Sequence, residues 1–342
     1  MKKFYLFIFL LSILSVSCQD KSADQTEPST DANPVTQKQA VAIVIHGGAG
    51  VMSRDRMSED KQKEYKAKLD EAISKGHSIL DEGGTAMEAV MRTINILENS
   101  PLFNAGKGAV FNHEGYNELD ASIMDGETLN AGAIAGVTTV KNPINLAHEV
   151  MVNSKHVLLS GSGAEEFARS RNIVMVDTAY FSTPSRLESL KRAQNKTALL
   201  DWEDHKFGTV GCVALDKEGN IVAGTSTGGM TNKRWNRIGD SPIIGAGTYA
   251  NNKSCGVSST GHGEYFIRAA VAYDISALML YKNMSLQEAS EEVVMKKLVD
   301  LGGDGGIVAL DKDANISMVF NTPGMFRASI NKEGQKEIKI FK

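Results

Sequence analysis

A layered α/β domain is what the sequence predicts, and three observations carry that prediction. Short β-rich runs alternate with segments of helical periodicity, a β-hairpin sequence occurs twice in the C-terminal half, and helical segments are grouped between its two copies.

Taken in order, residues 41–45 form a β-rich run that stops at His46-Gly47-Gly48-Ala49-Gly50, a strand running into a tight loop. Across residues 61–80, Tyr65, Leu69, Ile73 and Leu80 recur at helical spacing, and Gly83-Gly84 ends the helix. A second helix spans residues 85–98 and stops before Pro101. Residues 102–126 are punctuated by glycine, and 131–140 read as a strand. Residues 185–207 are strongly polar with no strand pattern, and helices are expected at 265–280 and 286–301, the latter closed by Gly302-Gly303. The hairpin Val213-Ala214-Leu215-Asp216-Lys217 with Asn220-Ile221 is echoed by Val308-Ala309-Leu310-Asp311-Lys312 with Asn315-Ile316. Each copy is an apolar strand, a turn and a second strand, and both are expected in one sheet.

Composition excludes several function classes. With 342 residues, 42% of them hydrophobic, the chain can bury a sizeable core and is not disordered throughout. Its 37 Lys and Arg against 41 Asp and Glu lack the basic excess of a nucleic-acid binder. Cys18, Cys212 and Cys255 are too few and too scattered for a disulfide framework, and the latter two fall in apolar strands, as buried thiols. The seven histidines and three cysteines never pair at metal-ligand spacing, so no catalytic metal is expected.

The N-terminus carries an export pattern. Lys2 and Lys3 precede an apolar run and then Ser15-Val16-Ser17-Cys18, which reads as a signal peptide over residues 1–17. Residues 18–40, rich in Ser, Thr, Asp, Gln and Pro, read as a flexible tether. Small residues before Cys18 are similar to the lipobox of bacterial lipoproteins, making Cys18 a candidate lipid anchor on a periplasmic or membrane-attached protein.

Several motifs fail on context. Gly106-Lys107 is followed by Gly108, so there is no phosphate-binding Walker loop, and Gly161-Ser162-Gly163 lacks the third glycine of a dinucleotide site. Gly224-Thr225-Ser226-Thr227-Gly228 fits the Gly-x-Ser-x-Gly pattern, with Asp240 and His262 following in the chain order of a serine hydrolase. A nucleophile elbow must turn into a helix, whereas residues 229–248 have no helical pattern and contain Gly239 and Pro242.

The stronger candidate nucleophile is Thr209, at the start of an apolar strand directly after the polar segment. A β-branched residue there is unremarkable by itself; its company is not. The blocks His46-Gly47-Gly48-Ala49-Gly50, Asn104-Ala105-Gly106, Glu118-Leu119-Asp120-Ala121, Gly208-Thr209-Val210-Gly211, Thr225-Ser226-Thr227-Gly228-Gly229, Arg237-Ile238-Gly239-Asp240-Ser241-Pro242 and Thr260-Gly261-His262-Gly263-Glu264 stand in order. Together they resemble the plant-type asparaginase and isoaspartyl peptidase family, threonine N-terminal nucleophile hydrolases, over nearly all of residues 41–327.

That resemblance implies an αββα sandwich over residues 41–342, cut by its own chemistry between Gly208 and Thr209 into α (18–208) and β (209–342) subunits. A glycine at 208 tolerates a bent scissile bond. The freed α-amine of Thr209 would serve as base, its Oγ as nucleophile. Thr227 matches a hydroxyl bonded to the nucleophile, Thr260 and the Gly261 N–H match an oxyanion hole, and Asn104 matches a residue near the nucleophile. Arg237 and Asp240, with Ile238, Gly239, His262 and Gly263 beside them, match the pocket for the substrate's α-carboxylate and α-ammonium. By residue chemistry alone, Arg237 with Asp240 could equally be a surface ion pair, and Thr260 with Glu264 a helix cap. The resemblance also implies a sodium ion on backbone carbonyls of 97–107, small-molecule substrates (asparagine and β-aspartyl dipeptides), and a dimer of αβ units. Glycosylasparaginases resemble the chain less, since they carry Asp, Asn, Asn and Asp where Gly208, Gly228, His262 and Glu264 stand; glycoasparagine hydrolysis is the alternative. A non-catalytic envelope lipoprotein of the same fold is the alternative from another class.

Overall fold

The computed structural model describes residues 40–195 and 208–342; the expected signal peptide, the expected tether but for its last residue, Cys18 and most of the polar stretch before Gly208 lie outside them. The elements are β1 (Ala42–Gly50), α1 (Glu59–Asp81), α2 (Ala86–Glu98), β2 (Leu119–Asp125), β3 (Ala131–Val137), α3 (Pro143–Asn153), β4 (Leu158–Ser160), α4 (Gly161–Ser170), α5 (Pro184–Asn195), β5 (Val210–Leu215), β6 (Ile221–Thr227), β7 (Thr248–Ala250), β8 (Cys255–Gly261), α6 (Gly263–Ala269), α7 (Val271–Lys282), α8 (Leu286–Glu291), α9 (Leu298–Asp300), β9 (Gly305–Asp311), β10 (Ile316–Ser317), β11 (Gly324–Ile330) and β12 (Lys336–Phe341).

Among the described residues twelve strands form two sheets, ordered β12-β11-β1-β5-β6-β2-β3-β4 and β10-β9-β8-β7. Period-2 alternation then defines the layers. Ile43 and Ile45 of β1, with Val210, Cys212 and Ala214 of β5, point to one side and pack on Leu69 and Ile73 of α1, Val90 and Ile94 of α2 and Ile144 of α3. The intervening Ala42, Val44, Val213 and Leu215 point to the other side, where they meet Val308 and Leu310 of β9. The small sheet's far face, Cys255, Val257, Ile307 and Ala309, packs on Val271 and Ile275 of α7 and Leu286 and Ala289 of α8. Helices, sheet, sheet and helices give the expected αββα sandwich. Its central strands are buried on both faces and read as continuous apolar runs. Cys212 and Cys255 are buried free thiols in different inter-layer spaces, and burial pushes the Cys255 thiol up to about 12.

Four local expectations are corrected. The hairpin copies lie in different sheets, facing each other across the interior, because β9 takes β8 as its neighbour in the register Cys255↔Asp311. Their turns do match: Asp216 Oδ1 accepts from the N–H groups of Glu218 and Asn220, and Asp311 Oδ1 from those of Asp313 and Asn315. The His46–Gly50 segment continues β1 rather than ending it, paired to β11 through a register shift between His46 and Gly48. The helix expected over 265–280 is two helices broken at Ala270, whose φ is +47°. The one expected over 286–301 contains a π-helical stretch at Glu292–Lys297. Among the described residues no helix is long and apolar enough to cross a membrane.

Candidate active site

Adjacent antiparallel strands set the centre of the site. Val210 pairs with Ser226, which puts Thr209, just before β5, opposite Thr227 at the end of β6. Both lie on the odd-numbered face that looks toward the small sheet, and both are buried. The Thr209 hydroxyl donates to Thr227 Oγ1 at 3.1 Å, and that oxygen also accepts the Gly229 N–H at 3.0 Å. Thr227 is therefore held as an acceptor aimed at Thr209.

His46, from β1, fixes the other side of Thr209. Its Nδ1 is 3.0 Å from the Thr209 carbonyl oxygen, which can only accept, so Nδ1 carries the proton. Its Nε2 is then the acceptor for Ser258 Oγ of β8 at 2.9 Å. Complete burial lowers the imidazole to about 3, so the ring stays neutral and this tautomer holds at physiological pH. Gly211 makes the contact possible, since a Cβ there would overlap Ser258 Oγ and His46 Nε2. From Ser258 a buried hydroxyl chain runs to Thr225 Oγ1 at 2.7 Å, to Thr248 Oγ1 at 2.6 Å and to Ser122 Oγ at 2.7 Å.

Thr209, Thr227, Arg237, Gly239, Asp240 and Gly261 line one cavity together with Gly208. It measures only about 10 Å³ in the uncut chain, room for about one water molecule. Arg237 makes its bidentate pair with Glu264, at 2.8 and 2.7 Å, and not with Asp240. Burial alone would raise Glu264; the guanidinium outweighs it and holds that carboxyl below its usual range. Asp240 is buried, and its Oδ2 has no hydrogen-bond partner among the described residues. Desolvation raises it to about 7, against the pull of Arg237. A buried carboxylate oxygen without a donor is a ready complement to an ammonium group, and a guanidinium to a carboxylate.

The remaining sequence candidates border this cavity without lining it. Thr260 Oγ1 accepts from the Ala49 N–H at 3.3 Å. Asn104 spends both ends of its amide on backbone, donating to the Gly229 carbonyl at 2.7 Å and accepting from the Val110 N–H at 2.9 Å. A Cβ at Gly208 would stand 3.0 Å from that of Asn104. Gly263 lets Arg237 and Asp240 close on the first turn of α6, where a Cβ would lie 2.9 Å from both. His262 Nε2 is 3.4 Å from Glu264 Oε2, and Ile238 is 39% exposed, outside the cavity. Thr260 and Glu264 do not cap α6, whose N-cap is His262, with no side-chain capping bond. Two contributions carry no motif: Ser258, behind His46, and the Glu264 partnership with Arg237. Neither has a local sequence signal, because the two members of each pair meet only across the fold.

The loop after α2 turns the Glu98 carbonyl toward Gly106 and the Pro101 and Phe103 carbonyls toward Gly108. Carbonyl oxygen is the donor type that a hard cation such as sodium would take. Among the described residues no group of three His, Cys, Asp or Glu side chains can hold a metal.

The family described as Asparaginase (Asparaginase_2) matches residues 39–340. Isoaspartyl peptidase of Salmonella typhimurium is 51% identical over 294 residues, covering 84% of this chain and 94% of that protein. Isoaspartyl peptidase of Escherichia coli is 51% identical over 293 residues, covering 84% and 91%. Plant-type L-asparaginase of Pyrococcus abyssi is 39% identical over 310 residues, covering 87% and 98%. With a strand-initial threonine facing a second threonine between two sheets, and with relatives matched along nearly their whole length, this chain belongs to the asparaginase family.

Proposed function

We propose that this protein is a self-activating threonine amidohydrolase that releases L-aspartate from β-aspartyl dipeptides and L-asparagine. The observation that carries the reading is the Thr209–Thr227 hydroxyl pair beside Gly208, with Arg237 and Asp240 on the same cavity. In maturation, Thr209 Oγ attacks the Gly208 carbonyl carbon, the C–N bond to Thr209 breaks, and an ester replaces the amide. Water then hydrolyses the ester, leaving a Gly208 carboxylate and a free Thr209 α-amine.

That amine, with a reference pKa of about 7.7 to 8.0, accepts the hydroxyl proton when Oγ attacks the substrate's side-chain carbonyl. The leaving amine takes the proton, and water resolves the aspartyl ester. Arg237 and Asp240 hold the α-carboxylate and α-ammonium, and Thr260 with the Gly261 N–H stabilises the oxyanion. Glycoasparagine is disfavoured at residue 228: the Asn expected of that branch has no room, since even a Cβ would stand 2.6 Å from Asn104 Oδ1.

The finer parts of the reading rest on sequence patterns. Export by residues 1–17, lipidation at Cys18, a sodium ion on the 97–107 loop and a dimer of αβ units complete the proposal.

A denaturing gel tests it. Purified protein should resolve into fragments ending at Gly208 and starting at Thr209, and Thr209→Ala should remain one band with no aspartate released from β-aspartyl-leucine. Release by the Thr209→Ala protein would overturn the assignment.

A further inference from the structure

Gly208 stands between two cavities and, among the described residues, is the one common to both linings. On one side is the polar pocket of Thr209, Arg237 and Asp240. On the other is a cavity of about 220 Å³, enclosed by the segment after β1, the loop after α2, and α5. Much of its wall is aromatic and aliphatic. Tyr65 stacks on Phe326 with ring centroids 4.2 Å apart, and Phe103 stands edge-on to both at 5.5 and 6.1 Å. Val51, Met52 and Met57 complete that side.

Ser53 and Asn104 add polar groups to the lining, and its charged member among the described residues is Arg186 of α5. Its Nε donates to the Gly108 carbonyl at 2.8 Å and its Nη2 to that of Leu102 at 3.4 Å. Among the described residues no carboxylate pairs with it. A guanidinium anchored on carbonyls in an aromatic cavity has positive charge to spare for a carboxylate.

We propose that this cavity is the leaving-group subsite, suited to β-aspartyl dipeptides whose second residue is large and apolar, with Arg186 facing that residue's α-carboxylate. The proposal rests on the function proposed above. Cleavage after Gly208 frees the shared wall and joins the two cavities. A substrate whose aspartyl head occupies the Arg237–Asp240 side, with its scissile carbon at Thr209 Oγ, directs its leaving nitrogen away from that head and toward the vacated Gly208 position. The second residue of a dipeptide then fills the aromatic cavity. Asparagine releases only ammonia and gains nothing there, so the subsite separates the two substrates by leaving group and not by head group. Each buried methylene is worth roughly 10- to 200-fold in discrimination.

The test uses cleaved full-length protein and compares kcat/KM for β-aspartyl-leucine, β-aspartyl-phenylalanine, β-aspartyl-glycine and asparagine. The leucine and phenylalanine dipeptides should exceed the glycine dipeptide by about tenfold or more. Arg186→Met should lower the ratio of β-aspartyl-leucine to asparagine turnover at least about tenfold, and β-aspartyl-leucinamide, which lacks the carboxylate, should be insensitive to the change. Val51→Asp, at a 38% exposed position on the rim, should lower the same ratio by repelling the carboxylate, and it serves if Arg186→Met fails to fold or cleave. Equal kcat/KM for the glycine and leucine dipeptides, or an unchanged ratio in the variants that cleave, overturns the subsite. If the cleaved protein hydrolyses neither dipeptides nor asparagine, the proposed function fails on its own terms. Leucine itself then probes the cavity: a rise in Tm that Val51→Asp abolishes supports the subsite, and no rise overturns it.

Discussion

The His46 imidazole donates through Nδ1 to the main-chain carbonyl of Thr209, 163 residues away in sequence, and accepts through Nε2 from Ser258 on the opposite sheet. The candidate nucleophile is thus held through its backbone as well as its hydroxyl. Two sheets contribute to that hold, so their packing distance is part of the site.

Removing the imidazole strands a buried carbonyl and a buried hydroxyl. His46→Ala should cost about 2–4 kcal/mol of stability and slow cleavage at Gly208–Thr209 at least tenfold, about 1.4 kcal/mol or more of barrier. Ser258→Ala, which removes the Nε2 partner but keeps the ring and its bond to Thr209, should slow cleavage less. Denaturant melts with timed gels measure both, and a Ser258→Ala effect larger than that of His46→Ala would contradict the order of contacts.

Gly211 has no room for a methyl between His46 and Ser258. Gly211→Ala should therefore push the sheets apart locally and leave the chain uncut, with a stability loss of about 1–3 kcal/mol from overpacking. Normal fragment yield from this variant would show that the His46–Thr209 contact is dispensable.

Arg237 is a bidentate partner, and a lysine cannot reproduce its fork. Arg237→Lys should raise KM for β-aspartyl dipeptides and asparagine alike, by about 10- to 100-fold, the loss of one charge-assisted bond. Glu264→Gln should have a smaller effect on KM, since it releases the guanidinium. Initial-rate kinetics on both substrates decide it; a KM change confined to one substrate would place Arg237 elsewhere than on the shared aspartyl head.

Asp240 gives a pH signature. Its folded value of about 7 lies above the ordinary carboxylate range, so the folded chain binds a proton that the unfolded chain has lost. Its contribution is thus most favourable at acid pH and is lost as pH rises toward 7. In the uncut Thr209→Ala background, Asp240→Asn should gain relative stability between about pH 4 and pH 7 and no more above that, on the order of a few kcal/mol. Comparing variants cancels the opposite trend of buried neutral His46, whose lowered value costs stability in acid. A difference independent of pH would mean that Asp240 is ionised throughout.

Much of the fold was legible because its signals are local. Apolar spacing marks α1, and Thr85 caps α2 through the Glu88 N–H. The repeated Asp-Lys-x-x-Asn turn marks both hairpins, and glycine-bounded apolar runs mark the strands. Which sheet each hairpin joins was not legible, because β5 and β9 have the same apolar character and their neighbours are chosen by long-range pairing.

The sequence by itself determined the family blocks, and it named the Gly208–Thr209 step and Thr209, Thr227, Arg237 and Asp240 as candidates. Only the tertiary structure decided what those residues touch. It put His46 and Ser258 behind Thr209, gave Arg237 to Glu264 instead of Asp240, and left Asp240 buried with an unpaired oxygen. It also set Gly208 as a wall between a polar and an aromatic cavity. The physical reason is range: propensity and spacing act over a few residues, whereas hydrogen-bond partners, burial and cavities are fixed by packing between segments far apart in the chain.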